Sequence, residues 1–190
     1  MHEEILNQDS KNNMMTKRLE RREVAKGSIL TYYRDKVLIP NGNVREWDFI
    51  GHNGAAAVLP VTEDGRLVLV RQYRNAFDRF MLEIPAGGLE PDEPTKEAAA
   101  RELKEETGFE AEEISFLMAF YPTVAYSGEK IDIYLAKGLK AGGRELDADE
   151  YINVELWDLK ELLDMIYAGK LNDGKTVAAV LAYAQLAGKP

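Results

Sequence analysis

From residue 23 to about residue 84 the pattern of apolar and polar positions is strand-like and predicts a series of β-strands. Asn41-Gly42 between two such runs is a strong hairpin signal, and Asp64-Gly65 suits a tight hairpin turn between the next two. The predicted strands are residues 28–33, 36–39, 44–50, 55–61, 67–72 and 81–84. The early strands predict a small antiparallel subdomain over residues 21–54. Residues 1–20 are polar and aperiodic, so we expect a disordered tail there.

One helix is predicted with particular clarity, over residues 94–107 (PTKEAAARELKEET). Pro94 suits a first helical turn, three alanines favour helix, and Gly108 is a natural stop. Further strands are predicted at 114–120, 130–136 and 153–157, and helices at 159–167 and 176–186. This order of elements predicts an α/β domain over residues 55–190, with a mixed sheet covered on both faces.

Composition narrows the classes of function. The 190 residues are 45% hydrophobic and 30% charged, with a net charge of -9 and no cysteine. The charge argues against a general nucleic-acid surface, which needs a basic face. The N-terminus lacks the apolar core of a secretory signal, and no apolar run reaches the roughly 18 residues needed to span a bilayer. We therefore expect a cytoplasmic protein without nucleic-acid or membrane partners.

Three carboxylates cluster on the predicted helix. Glu102, Glu105 and Glu106 stand at i, i+3 and i+4, so their side chains can converge on one face. A hard divalent cation such as Mg²⁺ would relieve their repulsion. Gly87 and Gly88, before the helix, are expected to let the preceding loop bend sharply. The alternative is an exposed acidic helix with ordinary i, i+4 ion pairs, which does not explain the neighbouring glycines.

The run GGLEPDEPTKEAAARELKEETGF, residues 87–109, resembles the Nudix box at every defining position. Gly87 is followed after five residues by Glu93, and after seven more by RELKEETGF at 101–109. The resemblance implies a Nudix α/β/α sandwich and a pyrophosphohydrolase that uses Mg²⁺, with Mn²⁺ as a substitute. It also implies that Glu102 and Glu106 are the main metal ligands and that the Ala86 carbonyl is a further one. Glu105 would be an additional ligand or a catalytic residue that orients water. Glu93 and Arg101 would form the pair that holds the catalytic loop.

Beyond the box, residues 23–188 resemble the ADP-ribose pyrophosphatase branch, notably in VRQYR at 70–74 and LEIPAG at 82–87. That branch places a substrate-binding arginine at the position of Arg74. Alternatively, Arg74 merely ends a strand. An aromatic residue of the N-terminal subdomain stacks on adenine in related enzymes, which makes Trp47, with Arg45 nearby, a candidate for base binding. The alternative for Trp47 is a core or dimer contact, since the resemblance also implies a homodimer.

The loop after the box resembles the branch less closely. Glu129 aligns with a late catalytic or metal-binding glutamate, and the alternative is a solvated loop acid. The branch usually has Ser-Pro-Gly in this loop, where this chain has Thr-Val-Ala at 123–125. The expected activity is hydrolysis of ADP-ribose or a similar nucleoside-diphosphate sugar to AMP and a sugar phosphate. The alternatives are another sugar nucleotide such as GDP-mannose, or a non-catalytic module that senses ADP-ribose.

Overall fold

A computed structural model of the chain describes residues 15–143 and 152–188. These residues form two compact units. The first joins the N-terminal residues up to His52 to the segment Thr123–Glu129, and the second contains Asn53–Pro122 and the chain from Lys130 onwards. Within the two described ranges, no helix is both long and apolar enough to cross a bilayer.

The first unit contains a three-stranded antiparallel sheet. Its strands, in spatial order, are β1 (Lys17–Lys26), β2 (Thr31–Leu38) and β3 (Val44–Gly51). The predicted hairpin is confirmed, because β2 and β3 pair from Leu38 opposite Val44 to Thr31 opposite Gly51. Gly42 takes the positive φ of 83° that this turn requires.

Strand β1 was not predicted. It begins at Lys17, within the last residues of the stretch 1–20 expected to be a disordered tail, and all ten of its residues are exposed. Residues 1–14 of that stretch lie outside the described part of the chain. Antiparallel backbone pairing joins it to β2, and two cross-strand ion pairs add to this pairing: Arg21 binds Asp35 at 2.7 Å, and Lys36 binds Glu20 at 2.8 Å. The two predicted runs at 28–33 and 36–39 are, in the structure, the single strand β2 preceded by a turn.

The segment Thr123–Glu129 runs beside β3 within the first unit. The Ile50 N–H donates to the Tyr126 carbonyl at 2.7 Å, and the Gly128 N–H donates to the Ile50 carbonyl at 3.1 Å. Ile50 and Ser127 form a parallel bridge. The unit is therefore assembled from two separate stretches of chain, whereas the predicted subdomain covered residues 21–54 alone.

Over its described residues, the second unit contains two sheets, three α-helices and a short 3-10 helix at Asn75–Phe77. A mixed sheet has the order β7-β4-β9-β8, and an antiparallel sheet has the order β10-β5-β6. The strands are β4 (Ala55–Pro60), β5 (Leu67–Arg74), β6 (Arg79–Glu83), β7 (Ala86–Gly88), β8 (Phe109–Phe120), β9 (Ile131–Ala141) and β10 (Ile152–Trp157). The helices are α1 (Thr95–Thr107), α2 (Leu159–Tyr167) and α3 (Gly174–Leu186). The predicted mixed α/β fold is thus confirmed.

The predicted tight turn at Asp64-Gly65 is confirmed, but the two strands that it joins do not pair with each other as a hairpin. The turn itself is tight, with Gly65 at φ 84° and its N–H donating to the Thr62 carbonyl at 2.9 Å. However, the strands on either side enter different sheets and meet only at a bridge between Val61 and Leu67. Strand β4 has both edges occupied, by β7 and by β9, so it has no edge left for β5.

The mixed sheet is covered on both faces, as predicted. Alternate residues of β4 point to opposite sides. Ala56 and Val58 pack with Ala98, Ala99 and Leu103 of helix α1. The alternating residues of β4, namely Ala55, Ala57 and Leu59, belong to a second hydrophobic cluster that also contains residues of β5, α2 and α3. Helix α1 matches its predicted span to within a residue and ends where Gly108 adopts the left-handed conformation, at φ 74°.

Candidate metal and active site

Helix α1 presents two buried carboxylates to the short strand β7. Glu102 and Glu106 are 8% and 3% exposed, and they lie one helical turn apart on the same face. Glu106 Oε2 accepts a hydrogen bond from the Ala86 N–H at 3.1 Å. A Cβ built on Gly87 would stand 1.9 Å from Glu102 Oε1. The face of α1 that carries both acids therefore lies directly against Ala86 and Gly87.

Gly87 and Gly88 do not form the sharply bent loop that was expected. Both belong to β7 and pair with Ala56 and Ala55 of β4. Neither Gly87 nor Gly88 has a positive φ. Gly87 is needed for another reason, since any side chain there would collide with the Glu102 carboxylate. From the sequence, both glycines were expected to be needed for a bend of the backbone. In the structure, Gly87 is required because the Glu102 carboxylate occupies the space that a side chain would fill.

Arg101 ties the loop before α1 to the acids on α1. Its Nε and Nη2 donate to the two carboxylate oxygens of Glu93 at 2.9 and 3.0 Å, and Nη2 also donates to the Gly88 carbonyl at 3.1 Å. Its Nη1 donates to Glu102 at 2.7 Å and to Glu105 at 2.9 Å. The hydrogen bonds from Arg101 hold the pKa of Glu93 below its ordinary value. One guanidinium thus links the loop, strand β7 and two of the three clustered acids.

The donor set suits a hard divalent cation. The carboxylates of Glu102, Glu105 and Glu106 and the backbone oxygen of Ala86 would all offer oxygen donors, which Mg²⁺ prefers. In the parts of the chain that the structure describes, no three acidic or histidine side chains are already arranged as a metal-binding group. In this structure Arg101 forms ion pairs with both Glu102 and Glu105. A bound cation would compete with this guanidinium for Glu102.

The structure places Arg74 in an ion pair with a buried acid. Its Nε and Nη2 donate to the carboxylate oxygens of Glu83 at 2.7 and 2.8 Å. Glu83 is only 3% exposed and also binds the Lys175 ammonium. Burial by itself raises the pKa of Glu83, but the hydrogen bonds and charges of Arg74 and Lys175 outweigh it and lower this pKa to about 2. Glu83 is therefore a carboxylate held between two cations.

Sequence reasoning missed Glu83 and its partners on α3. Lys175 Nζ also donates to Asp173 at 3.1 Å, and Thr176 Oγ1 accepts the Ile84 N–H at 2.8 Å. One signal was available, namely a single glutamate in the apolar run MLEIP at 81–85. A buried acid requires a partner, and of the two cations that bind Glu83, Arg74 lies nine positions away and Lys175 lies 92 positions away.

In the first unit, Trp47 lines a cavity of about 790 Å³. Trp47 is half exposed, and the lining also includes Tyr32, Ile50 and Tyr126. The Tyr32 hydroxyl donates to Asp48 at 2.6 Å. Arg45 is exposed and lies two residues before Trp47, hence on the same face of β3. The cavity is broad and partly aromatic.

Glu129 ends the segment that runs beside β3. Its N–H donates to the Ser127 hydroxyl oxygen at 3.2 Å, and its Oε1 lies 3.9 Å from His52 Nε2. Gly128 must remain without a side chain, because a Cβ would lie 2.9 Å from the Phe49 ring. The structure thus brings Glu129 to the same unit as Trp47 and Arg45.

Comparisons with known proteins agree with this geometry. The NUDIX domain model matches residues 51–180. The chain is 36% identical over 177 residues to the ADP-ribose pyrophosphatase of Bacillus subtilis strain 168, covering 90% of this chain and 95% of that one. It is 37% identical over 172 residues to the methanol dehydrogenase activator of Bacillus methanolicus, covering 90% and 92%.

A solved structure gives the same result for the fold. The crystal structure of an ADP compounds hydrolase superposes with a TM-score of 0.81 at 27% identity, covering 90% of this chain and 93% of that one. The family match, the relatives and the buried acids against β7 lead to one conclusion. This chain belongs to the Nudix family and is a Nudix hydrolase similar to ADP-ribose pyrophosphatases.

Proposed function

We propose that the protein hydrolyses the diphosphate bond of ADP-ribose, or of a similar nucleoside-diphosphate sugar, to AMP and a sugar phosphate. The observation that carries this proposal is the placement of Glu102 and Glu106, buried side by side against Ala86 and Gly87. The two carboxylates, one turn apart, offer oxygen donors to a divalent cation, and the same cation would neutralise the phosphate groups of a substrate.

Glu102, Glu105, Glu106 and the Ala86 carbonyl would hold Mg²⁺, with Mn²⁺ as a substitute. When bound, the metal would stabilise negative charge on phosphate oxygens and activate water. Arg101 orients Glu102 and Glu105 from one side, and Glu93 fixes Arg101 through two hydrogen bonds. Loss of Glu93 or Arg101 would thus disturb the geometry of the acids more than the chemistry itself.

Several residues would bind the substrate. Arg74 carries a planar guanidinium suited to a diphosphate, although its present partner is Glu83. Trp47, beside a roomy cavity, would stack on the base, with Arg45 nearby on the same face of β3. Glu129 would act as the general base that accepts a proton from the attacking water. These assignments rest mainly on the resemblance to ADP-ribose pyrophosphatases.

The test is a panel of substrates incubated with the protein and saturating Mg²⁺, with AMP, GMP and sugar phosphates separated by chromatography. We expect AMP and ribose phosphate from ADP-ribose at the highest kcat/KM in the panel. Preferred release of GMP from GDP-mannose would overturn the substrate assignment and leave the chemistry intact. ADP-ribose that binds but stays uncleaved would overturn the enzymatic assignment in favour of a sensing module.

We also propose a homodimer formed through the first unit. Its sheet exposes large apolar side chains that a lone three-stranded sheet would leave in water: Leu19, Val24, Val44 and Trp47. Light scattering coupled to size-exclusion chromatography distinguishes the states, because the monomer has a mass of 21.4 kDa. A species of that mass at micromolar concentration would contradict the proposal.

A further inference from the structure

Residues 83–86, which lead into strand β7, are held at every position. The side chain of Glu83 binds Arg74 and Lys175. The Ile84 N–H donates to Thr176 Oγ1 at 2.8 Å, and the Pro85 carbonyl accepts the Val58 N–H at 2.9 Å. The Ala86 N–H then donates to Glu106 at 3.1 Å. A stretch of backbone fixed at four successive residues has little freedom to shift.

Two of these contacts come from the first turn of helix α3. Thr176 is fully buried, and its hydroxyl donates to Asp173 Oδ2 at 2.5 Å. The same Asp173 oxygen accepts the Thr176 N–H at 3.0 Å and caps the helix. A carboxylate only accepts, so the hydroxyl proton points to Asp173 and a lone pair is left for the Ile84 N–H. The orientation of the Thr176 hydroxyl is therefore determined by the cap.

The second contact is ionic. Lys175 is 8% exposed and donates both to Glu83 and to Asp173. Asp173 thus orients Thr176 and Lys175 together, and each of them reaches a different residue of the segment 83–86. A buried ion pair of this kind is costly to break on one side only, because the other charge is then left without its partner.

We propose that Thr176 and Lys175 are positioning residues for the metal site. They fix residues 83 and 84, and through Pro85 they set where the Ala86 carbonyl and the hydrogen bond from Ala86 to Glu106 lie. This inference rests on the proposed function, since it takes Ala86 and Glu106 as metal ligands. Residues that orient ligands from outside the ligand set typically change metal affinity or activity by about 10- to 100-fold when mutated.

The test compares Thr176→Val with Thr176→Ser. Valine keeps the volume but removes the acceptor for the Ile84 N–H, whereas serine retains the hydroxyl. Mn²⁺ affinity is measured by titration calorimetry on the full chain without substrate, and kcat is measured at saturating Mg²⁺. We expect Thr176→Val to weaken Mn²⁺ binding about tenfold and to lower kcat by a similar factor. Thr176→Ser should stay within about threefold of the wild type on the same scale.

Thr62→Val is the matched control. The Thr62 hydroxyl also bonds to backbone, at 3.0 Å from both the N–H and the carbonyl of Arg66, but in the turn between β4 and β5. This control separates a general loss of stability from a specific effect on the metal. Unchanged Mn²⁺ affinity in Thr176→Val would overturn the inference, and so would an equal loss in Thr62→Val.

Lys175→Met provides a second test in case Thr176→Val does not fold. Its control is Lys170→Met, because Lys170 is exposed. We expect weaker Mn²⁺ binding in Lys175→Met alone, and equal affinity in both variants would overturn the role of Lys175. The wild type separates this inference from the proposed function. A wild type that neither binds Mn²⁺ nor cleaves any sugar nucleotide refutes the proposed function. If the wild type is active and Thr176→Val has the same Mn²⁺ affinity and kcat, only the positioning role is refuted.

Discussion

Replacing Gly87 with alanine is expected to damage catalysis severely, although it adds a single methyl group. That methyl would lie 1.9 Å from Glu102 Oε1 and 2.2 Å from its Cδ, while real Cβ contacts are essentially never under 3.0 Å. The carboxylate must therefore retreat by about 1 Å, and a misplacement of about 1 Å in a catalytic site can cost about 100-fold in rate. That factor corresponds to roughly 2.7 kcal/mol of transition-state stabilisation.

The adjacent glycine provides the control. A Cβ on Gly88 meets nothing within 4 Å, and Gly88 lies in the same strand. The assay is kcat at saturating Mg²⁺ for the wild type, Gly87→Ala and Gly88→Ala, with urea denaturation to establish that each variant is folded. We expect a loss of about 100-fold in kcat for Gly87→Ala and less than about threefold for Gly88→Ala. Equal losses in the two variants, or full activity in Gly87→Ala, would refute the reasoning.

Three further predictions concern the acids and the tryptophan. Glu106→Gln removes one ligand charge and should lower kcat by about 1000-fold or more with an unchanged circular dichroism spectrum; near-normal turnover would exclude Glu106 as a ligand. Trp47→Ala should raise KM for adenine-containing substrates about tenfold with little change in kcat, whereas an unchanged KM with loss of the dimer would assign Trp47 to the interface. The pKa of Glu83 is lowered to about 2 in the folded protein, from about 4.5 in the unfolded chain. The ionised Glu83 carboxylate therefore stabilises the fold above pH 4.5, and this stabilisation is lost as the pH falls from about 5 towards 2. This contribution is on the order of 3 kcal/mol, and urea denaturation of Glu83→Gln should show a flatter pH dependence than the wild type; an identical pH dependence would contradict it.

The sequence predicted most successfully the elements whose signals are local. Helix α1 carries its own start and stop in Pro94 and Gly108, and its alanines meet β4 as a buried helix face should. The hairpin between β2 and β3 is encoded in Asn41-Gly42. Strand β1 was not predicted as an element because its sequence, KRLERREVAK, is mostly charged. Its charged side chains Arg21 and Glu20 pair with charged side chains of β2. Only its last four residues, 23–26, fall where the strand-like pattern begins.

For the site, the sequence predicted the identity of the acids but not their surroundings. The box spacing brought out Glu102, Glu105 and Glu106, and the contact between Glu93 and Arg101 is present at 2.9 Å. The steric demand at Gly87 and the network of Glu83 with Lys175 depend on contacts between elements far apart in the chain. Such contacts leave only an indirect trace in sequence, here one charged residue in an apolar run.

The segment Thr123–Glu129 has a consequence for how the protein is made. Because Ile50 pairs with Tyr126 and Gly128, the first unit lacks one of its edges until about residue 129 has been synthesised. During translation, most of the mixed sheet's sequence emerges before this edge can be completed, so the N-terminal strands must wait for a later part of the chain.

The same arrangement limits how the chain can be divided. A fragment that stops at His52 would expose the backbone groups of β3 that Tyr126 and Gly128 normally engage. Unpaired strand edges favour association between chains. We therefore expect such a fragment to aggregate, and the N-terminal strands to be usable as an independent module only when the later loop is grafted beside them.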